Sequence, residues 1–380
     1  MLVDMVALQR AVALGMAGYV RAGFRTRTFG LEHLRPEPAT ILAPNHRSDN
    51  DVPVLVSALA GRWAAAVGEG VPWPTFAADD HAFFRGFLAG YPEGIPMALR
   101  RLLWPLRVGG VLERYLQCVP VRQPGRMRLV ELLRHDPDRP LDGQLPPDVR
   151  DALFRRAGEL GRPVPDRGGD VLDGRFADLL WTLLERDLTT GCEDIWRAHL
   201  RSAVGDFRRL VAALRGGGLV VIFPEGRLIA DGRLGPLQPG LASLVRRGRA
   251  RLVQPVAISY DRLTPGRTVA YVSIAEALDP SSVSVSSQFL ERLRRAIPLT
   301  VGQIAATVVR RPDSAGSLMR VGAEWVERAE ADGRPIEPAL RDSRRALTLR
   351  RALWKARRLG ADHEVVRSTA RELVTANETS

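Results

Sequence analysis

The chain has 380 residues, a formal net charge of +12, a hydrophobic fraction of 45% and two cysteines, Cys118 and Cys192. Two cysteines without a CxxC pair argue against a disulfide framework or a cysteine zinc site and fit a reducing compartment. No apolar run approaches the roughly 20 residues needed to cross a bilayer. Nearly all the positive charge is arginine, with Lys355 the single lysine, which suits a phosphate-rich partner or a biased codon supply.

In chain order, residues 1–27 predict a helix ending near Gly23. Leu2, Val3, Met5, Val6, Leu8, Val12, Leu14 and Met16 give it an apolar face, for lipid or for its own protein. Asp4 near the start and the lack of a cleavage site argue against a signal peptide. Residues 39–44 read as a strand, followed by a loop holding His46 and a helix from Asp51 to about Ala60. Ser48, Asp49, Asn50 and Asp51 are N-cap types, and Pro53 suits a first helical turn. Trp63 to Val67 reads as a strand. Residues 81–116 read as mostly helical, broken at Gly90 to Pro96, and 117–121 as a strand ending at Arg122.

Residues 123–200 form an acidic island, with fifteen acids against nine arginines between Glu131 and Asp194. They read as an insertion with short helices. Leu219 to Phe223 is a buried strand, bounded by glycines and Pro224. A short helix follows at Pro239 to Arg247, then strands at Val253–Ile258 and Thr268–Ile274. From about Gln288 the chain is helical. Strands alternating with helices imply an α/β fold with a mainly parallel sheet flanked by helices. The partition is an N-terminal helical segment 1–27, a core domain 28–285 with insertion 123–200, and a helical C-terminal region 286–380.

Two blocks carry chemistry. His46 lies just past a strand end, where open α/β sheets place their sites. Asp51 lies five residues on, so its carboxylate can return to one ring nitrogen and leave the other as a base. Taken alone, that spacing better suits a helix cap beside a polar loop histidine. The second block, Phe223-Pro224-Glu225-Gly226-Arg227, ends another strand. Gly226 permits close backbone approach, and Arg227 offers a planar fork for phosphate. Arg122, at a third strand end, is a further candidate for the same anion.

These residues resemble the glycerolipid acyltransferases. Asn45-His46-Arg47-Ser48-Asp49-Asn50-Asp51-Val52-Pro53 is similar to that family's first motif, and Val119-Pro120-Val121-Arg122 to its second. Phe223-Pro224-Glu225-Gly226-Arg227 resembles the third, and Val253-Gln254-Pro255-Val256-Ala257-Ile258 the fourth. All four stand in the family order, and Gly30, Gly232, Leu237 and Gly240 fit as well. The chain departs from the pattern where Arg227 replaces the usual threonine and Leu228 the usual serine, and where the insertion lengthens the gap after Arg122.

The resemblance implies transfer of a fatty acyl group from an acyl thioester, acyl-CoA or acyl carrier protein, to a hydroxyl of a phosphorylated glycerolipid precursor. Lysophosphatidate leads, ahead of glycerol 3-phosphate and other lysolipids or glycolipids. His46 is then the general base and Asp51 its orienting partner. Arg122, Glu225, Gly226, Arg227, Asn45 and Ser48 form the substrate-binding set. No cofactor, metal or nucleic acid is expected. The expected partners are the thioester donor, the glycerolipid acceptor and an anionic membrane surface, with the protein cytoplasmic and peripheral on the inner face of the cell membrane. Residues 339–360, with Leu340, Leu347 and Trp354 at heptad spacing among arginines, form a basic amphipathic helix suited to that surface. Two other classes compete: an arginine-rich nucleic-acid-binding protein, and an inactive lipid-binding scaffold.

Overall fold

Strands covered on both faces read as unbroken apolar runs, and the longest such runs of this chain lie at the centre of its sheet. The computed structural model describes residues 2–68, 73–90, 96–138, 140–142, 145–188, 191–280, 285–310 and 318–377. They divide into two compact units, 1–74 with 211–380, and 75–210. The side chains of Leu2, Val3, Met5, Val6 and Leu8 lie outside the described residues, as do residues 91–95 of the expected break.

The strands are β1 (Arg25–Phe29), β2 (Thr40–Pro44), β3 (Thr75–Asp79), β4 (Cys118–Val121), β5 (Arg126–Arg128), β6 (Leu183–Glu185), β7 (Val220–Val221), β8 (Leu252–Asp261) and β9 (Val269–Ile274). In the first unit they run in the order β1-β9-β8-β2-β7. β2 is parallel to β7 and β8, with Ile41 opposite Val220 and Val253. β1 is parallel to β9, while β8 and β9 are antiparallel. Every residue of β2 and of β9 is buried, as a central position requires. The first helix, α1 (Leu2–Gly23), packs on the second, α2 (Asp51–Gly68).

Three expectations change. The segment Trp63–Val67 continues α2 instead of forming a strand. Its alanines favour helix, and Trp63 is buried at 1% exposure as part of the apolar face of α2. β1 and β3 form where no strand was expected. β1 reads Arg-Thr-Arg-Thr-Phe, a half-polar pattern that marks an edge and not a core run.

In the C-terminal region, helices Val301–Arg310, Leu318–Ala331 and Arg345–Leu359 close around Leu299, Ile304, Leu340, Leu349 and Leu373. Of the heptad set, Leu340 is fully buried, whereas Leu347 and Trp354 are 49% and 64% exposed. Arg358 covers the Trp354 ring at 5.5 Å.

The second unit contains the parallel pair β3–β4 and the antiparallel pair β5–β6. Insertion 123–200 has a core of its own, built on Met127, Leu132, Leu153, Phe176 and Trp196. Much of its acidic surplus is matched by arginines. Arg162 donates to Asp173 at 3.0 Å, and Arg156 to Asp178 at 2.9 Å, while Arg128 donates to Asp80, outside the insertion, at 2.8 Å. Burial, then the charge of Asp79, pushes Asp80 up to about 6.

Candidate active site

The parallel pairing of β2 with β7 and β8 brings three strand ends together in the first unit. Past β2 the chain turns through residues 45–50 before α2 begins. Asn45 locks that turn to β8: its side chain donates to the Ile258 carbonyl at 3.1 Å and accepts the Ile258 amide at 2.6 Å. Asn45 is fully buried. Both functions of its amide are thus used on backbone, so it braces the loop; the substrate contact expected of it has no free group behind it.

Asp51 organises the turn. Its Oδ2 accepts His46 Nδ1 at 2.8 Å, the Arg47 amide at 2.6 Å and the Ser48 amide at 2.9 Å. Its Oδ1 accepts the Tyr260 hydroxyl at 2.7 Å. A helix cap would instead accept amides following it in the first turn. Asp51 reaches back over the loop, so the capped-loop alternative does not describe it. Ser48 Oγ accepts the Asn50 amide at 3.2 Å and fills the local turn role.

With Nδ1–H donated to an acceptor carboxylate, the neutral imidazole carries its lone pair on Nε2. Nε2 has no partner among the described residues, and the His46 side chain is 24% exposed beside a fully buried Asp51. The Phe223 ring lies 4.5 Å from the imidazole, centre to centre, and limits how the ring can turn. Burial, then the Asp51 charge, holds the Tyr260 phenol well above its ordinary pKa, which keeps it a hydrogen-bond donor.

The block 223–227 is stitched directly to this turn. Glu225 Oε2 accepts the His46 amide at 2.7 Å, and Oε1 accepts the Gly235 amide at 2.8 Å. The Ile229 amide donates to the His46 carbonyl at 2.8 Å. Glu225 is 1% exposed. Burial raises its pKa, and the two amides oppose the rise. Its carboxylate therefore positions the His46 turn, with both oxygens occupied by backbone amides. Gly226 has a φ of +65, the left-handed conformation that favours glycine. Arg227 is exposed and has no partner among the described residues.

Arg122 lies in the second unit, where it is ion-paired with Asp206, and Glu131 stands 3.9 Å away. Its charge is balanced by protein carboxylates, so no free guanidinium awaits the expected anion there.

Three contributors lie outside the expected set of site residues. Tyr260 stands 209 positions from the carboxylate it touches. Arg47 is 5% exposed and donates to the carbonyls of Ile229 and Arg233, with Glu372 3.6 Å from its Nε. Glu372, on the C-terminal helix Glu364–Thr375, also accepts Ser259 at 2.9 Å and Gln303 at 3.1 Å. The C-terminal region thus reaches the site through one buried carboxylate. No cluster of metal-ligating side chains occurs among the described residues, and no helix there is long and apolar enough to cross a membrane.

Residues 180–259 match the family model described as Acyltransferase. That segment contains the third and fourth motifs and excludes His46 and Asp51. Among solved structures, the chain is similar to the 1-acyl-sn-glycerophosphate (LPA) acyltransferase PlsC from Thermotoga maritima. Identity is 14%, 73% of each chain is covered and the TM-score is 0.36. No curated protein matches the chain.

Proposed function

We propose that this chain, whose residues 180–259 match the acyltransferase family model, moves a fatty acyl group from acyl-CoA or an acyl carrier protein to a hydroxyl of a phosphorylated glycerolipid precursor, with lysophosphatidate the leading acceptor. The observation that carries this reading is the His46–Asp51 pair, 2.8 Å apart, with Nε2 left unpartnered. Nε2 takes the proton of the acceptor hydroxyl as its oxygen attacks the thioester carbonyl. The C–S bond then breaks, and the departing thiolate takes the proton back from the imidazolium. Asp51 stabilises that imidazolium and fixes the ring. No acyl-enzyme forms, so no serine or cysteine nucleophile is needed.

Arg227 is the group available to an acceptor phosphate. Glycerol 3-phosphate and other lysolipids or glycolipids remain the alternative acceptors, because Arg227 stands where the resembling family has threonine. Work at the cytoplasmic face of a membrane is supported by the arginine excess and by exposed Leu347 and Trp354. The test is thiol release from acyl-CoA and from acyl carrier protein with lysophosphatidate, glycerol 3-phosphate and lysophosphatidylcholine. Release that requires a phosphomonoester acceptor supports the reading. Release indifferent to the acceptor, or none from either donor, contradicts it.

A further inference from the structure

A cavity of about 530 Å³ opens among α1, α2 and β1. It is lined by Arg21, Phe24, Arg25, Thr26, Thr28 and Arg267, with Ser57 on its α2 side. The residues that line it include three arginines and three with hydroxyls, and no acidic residue is among them. Arg21 and Arg25 have no ion pair among the described residues. Arg267 gives one nitrogen to the Arg21 carbonyl at 2.6 Å and keeps its other donors. A side chain added at Gly266 would meet Arg25 Nη2 at 3.4 Å, so the turn before β9 packs against that guanidinium. Gathering like charges without a counter-charge is unfavourable, and a bound anion relieves it. Guanidinium forks beside hydroxyl donors are the arrangement that recognises phosphate oxygens.

The place matters as much as the chemistry. β1 is parallel to β9, β9 antiparallel to β8, and β8 parallel to β2. β1 therefore runs opposite to β2, and its first residue, Arg25, shares a sheet edge with the end of β2 that leads to His46. The Phe24 ring lies 5.9 Å from the Tyr260 ring, and Tyr260 donates to Asp51. Tyr19 of α1 donates to Asn50 at 2.7 Å.

We propose that this cavity binds a phosphate group, distinct from any phosphate met by Arg227. The ligand is either the phosphate of a lipid headgroup or a free phosphate. Binding is read without turnover, so the outcome does not depend on the acyl-transfer reading.

The test is titration of the full chain with inorganic phosphate at constant ionic strength, followed by calorimetry. Three proteins are compared: wild type, Arg21→Gln/Arg25→Gln, and the charge-matched Arg246→Gln/Arg247→Gln. The expected result is saturable binding that weakens about tenfold in the cavity variant, as the loss of a charge-assisted hydrogen bond implies, and is unchanged in the control. Absence of saturable binding, or equal weakening in both variants, overturns the proposal. A second arm uses sedimentation with phosphatidylcholine vesicles with and without phosphatidic acid. If the cavity variant alone loses the phosphatidic acid-dependent fraction and free phosphate competes it off, the source is a headgroup. If phosphate binding is lost in that variant and vesicle binding is not, the source is a free phosphate. Either pattern supports the site.

Discussion

Four donors converge on the Asp51 carboxylate: an imidazole, two backbone amides and a phenol. Glu225 plays a different part, since both its oxygens hold backbone amides of the two site loops. Two substitutions separate positioning from substrate contact. Glu225→Gln leaves only one acceptor oxygen for two amides, so a buried amide loses its partner, at about 1–3 kcal/mol. Chemical denaturation should show that loss, and kcat should fall while the KM for the acceptor stays near wild type. Arg227→Gln should do the reverse, raising the KM for a phosphorylated acceptor about tenfold with stability unchanged, as the loss of one charged contact implies. A Glu225→Gln enzyme with a raised KM and intact stability would return that carboxylate to the substrate.

The site elements are strand ends, and their local chemistry was largely legible. His46 and Asp51 stand five residues apart, and Glu225 follows an apolar run; the order of the motif blocks, and not the spacing alone, singles them out. What pairs across the fold was not legible. Tyr260 on β8 and Glu372 on the C-terminal helix have no sequence neighbour that hints at the site. β1 has the mixed polarity of an edge strand, β3 is only the short run Thr75-Phe76-Ala77-Ala78-Asp79, and Trp63–Val67 is a short apolar run that suits helix and strand alike. The loop after Glu225 is fitted closely to the C-terminal helix. Gly232 has a φ of +89, and a Cβ there would lie 2.0 Å from the Ser368 carbonyl oxygen. At Gly240 nothing stands within 4 Å of an added Cβ. Gly232→Ala should therefore destabilise by roughly 1–3 kcal/mol, through overpacking and backbone strain, and lower activity with it. Gly240→Ala should be neutral or mildly stabilising. Equal melting temperatures for the two variants would disprove the close fit.

At the scale of the molecule, the helical C-terminal region stabilises the first unit at the cost of a buried acid. Glu337 is 2% exposed. Burial, then the charge of Asp261, pushes it up to about 7 from 4.5, against the Val301 amide that it accepts. Between those values the folded chain holds the proton more tightly than the unfolded chain does. The stability tied to this group is full below about pH 4.5 and is lost as pH rises through about 7. Glu337→Gln removes that titration. Urea unfolding at about pH 5 and pH 8 should show the variant gaining on wild type by on the order of 1–3 kcal/mol at the higher pH. A constant difference between the two proteins would contradict it.

The most direct test is the steady-state rate of acyl transfer from acyl-CoA or acyl carrier protein to lysophosphatidate by wild type and His46→Ala, with folding checked by circular dichroism. A general base on the acceptor hydroxyl predicts a loss of about 10²–10⁴-fold in kcat with the fold intact. A folded His46→Ala protein that retains wild-type turnover would contradict the mechanism.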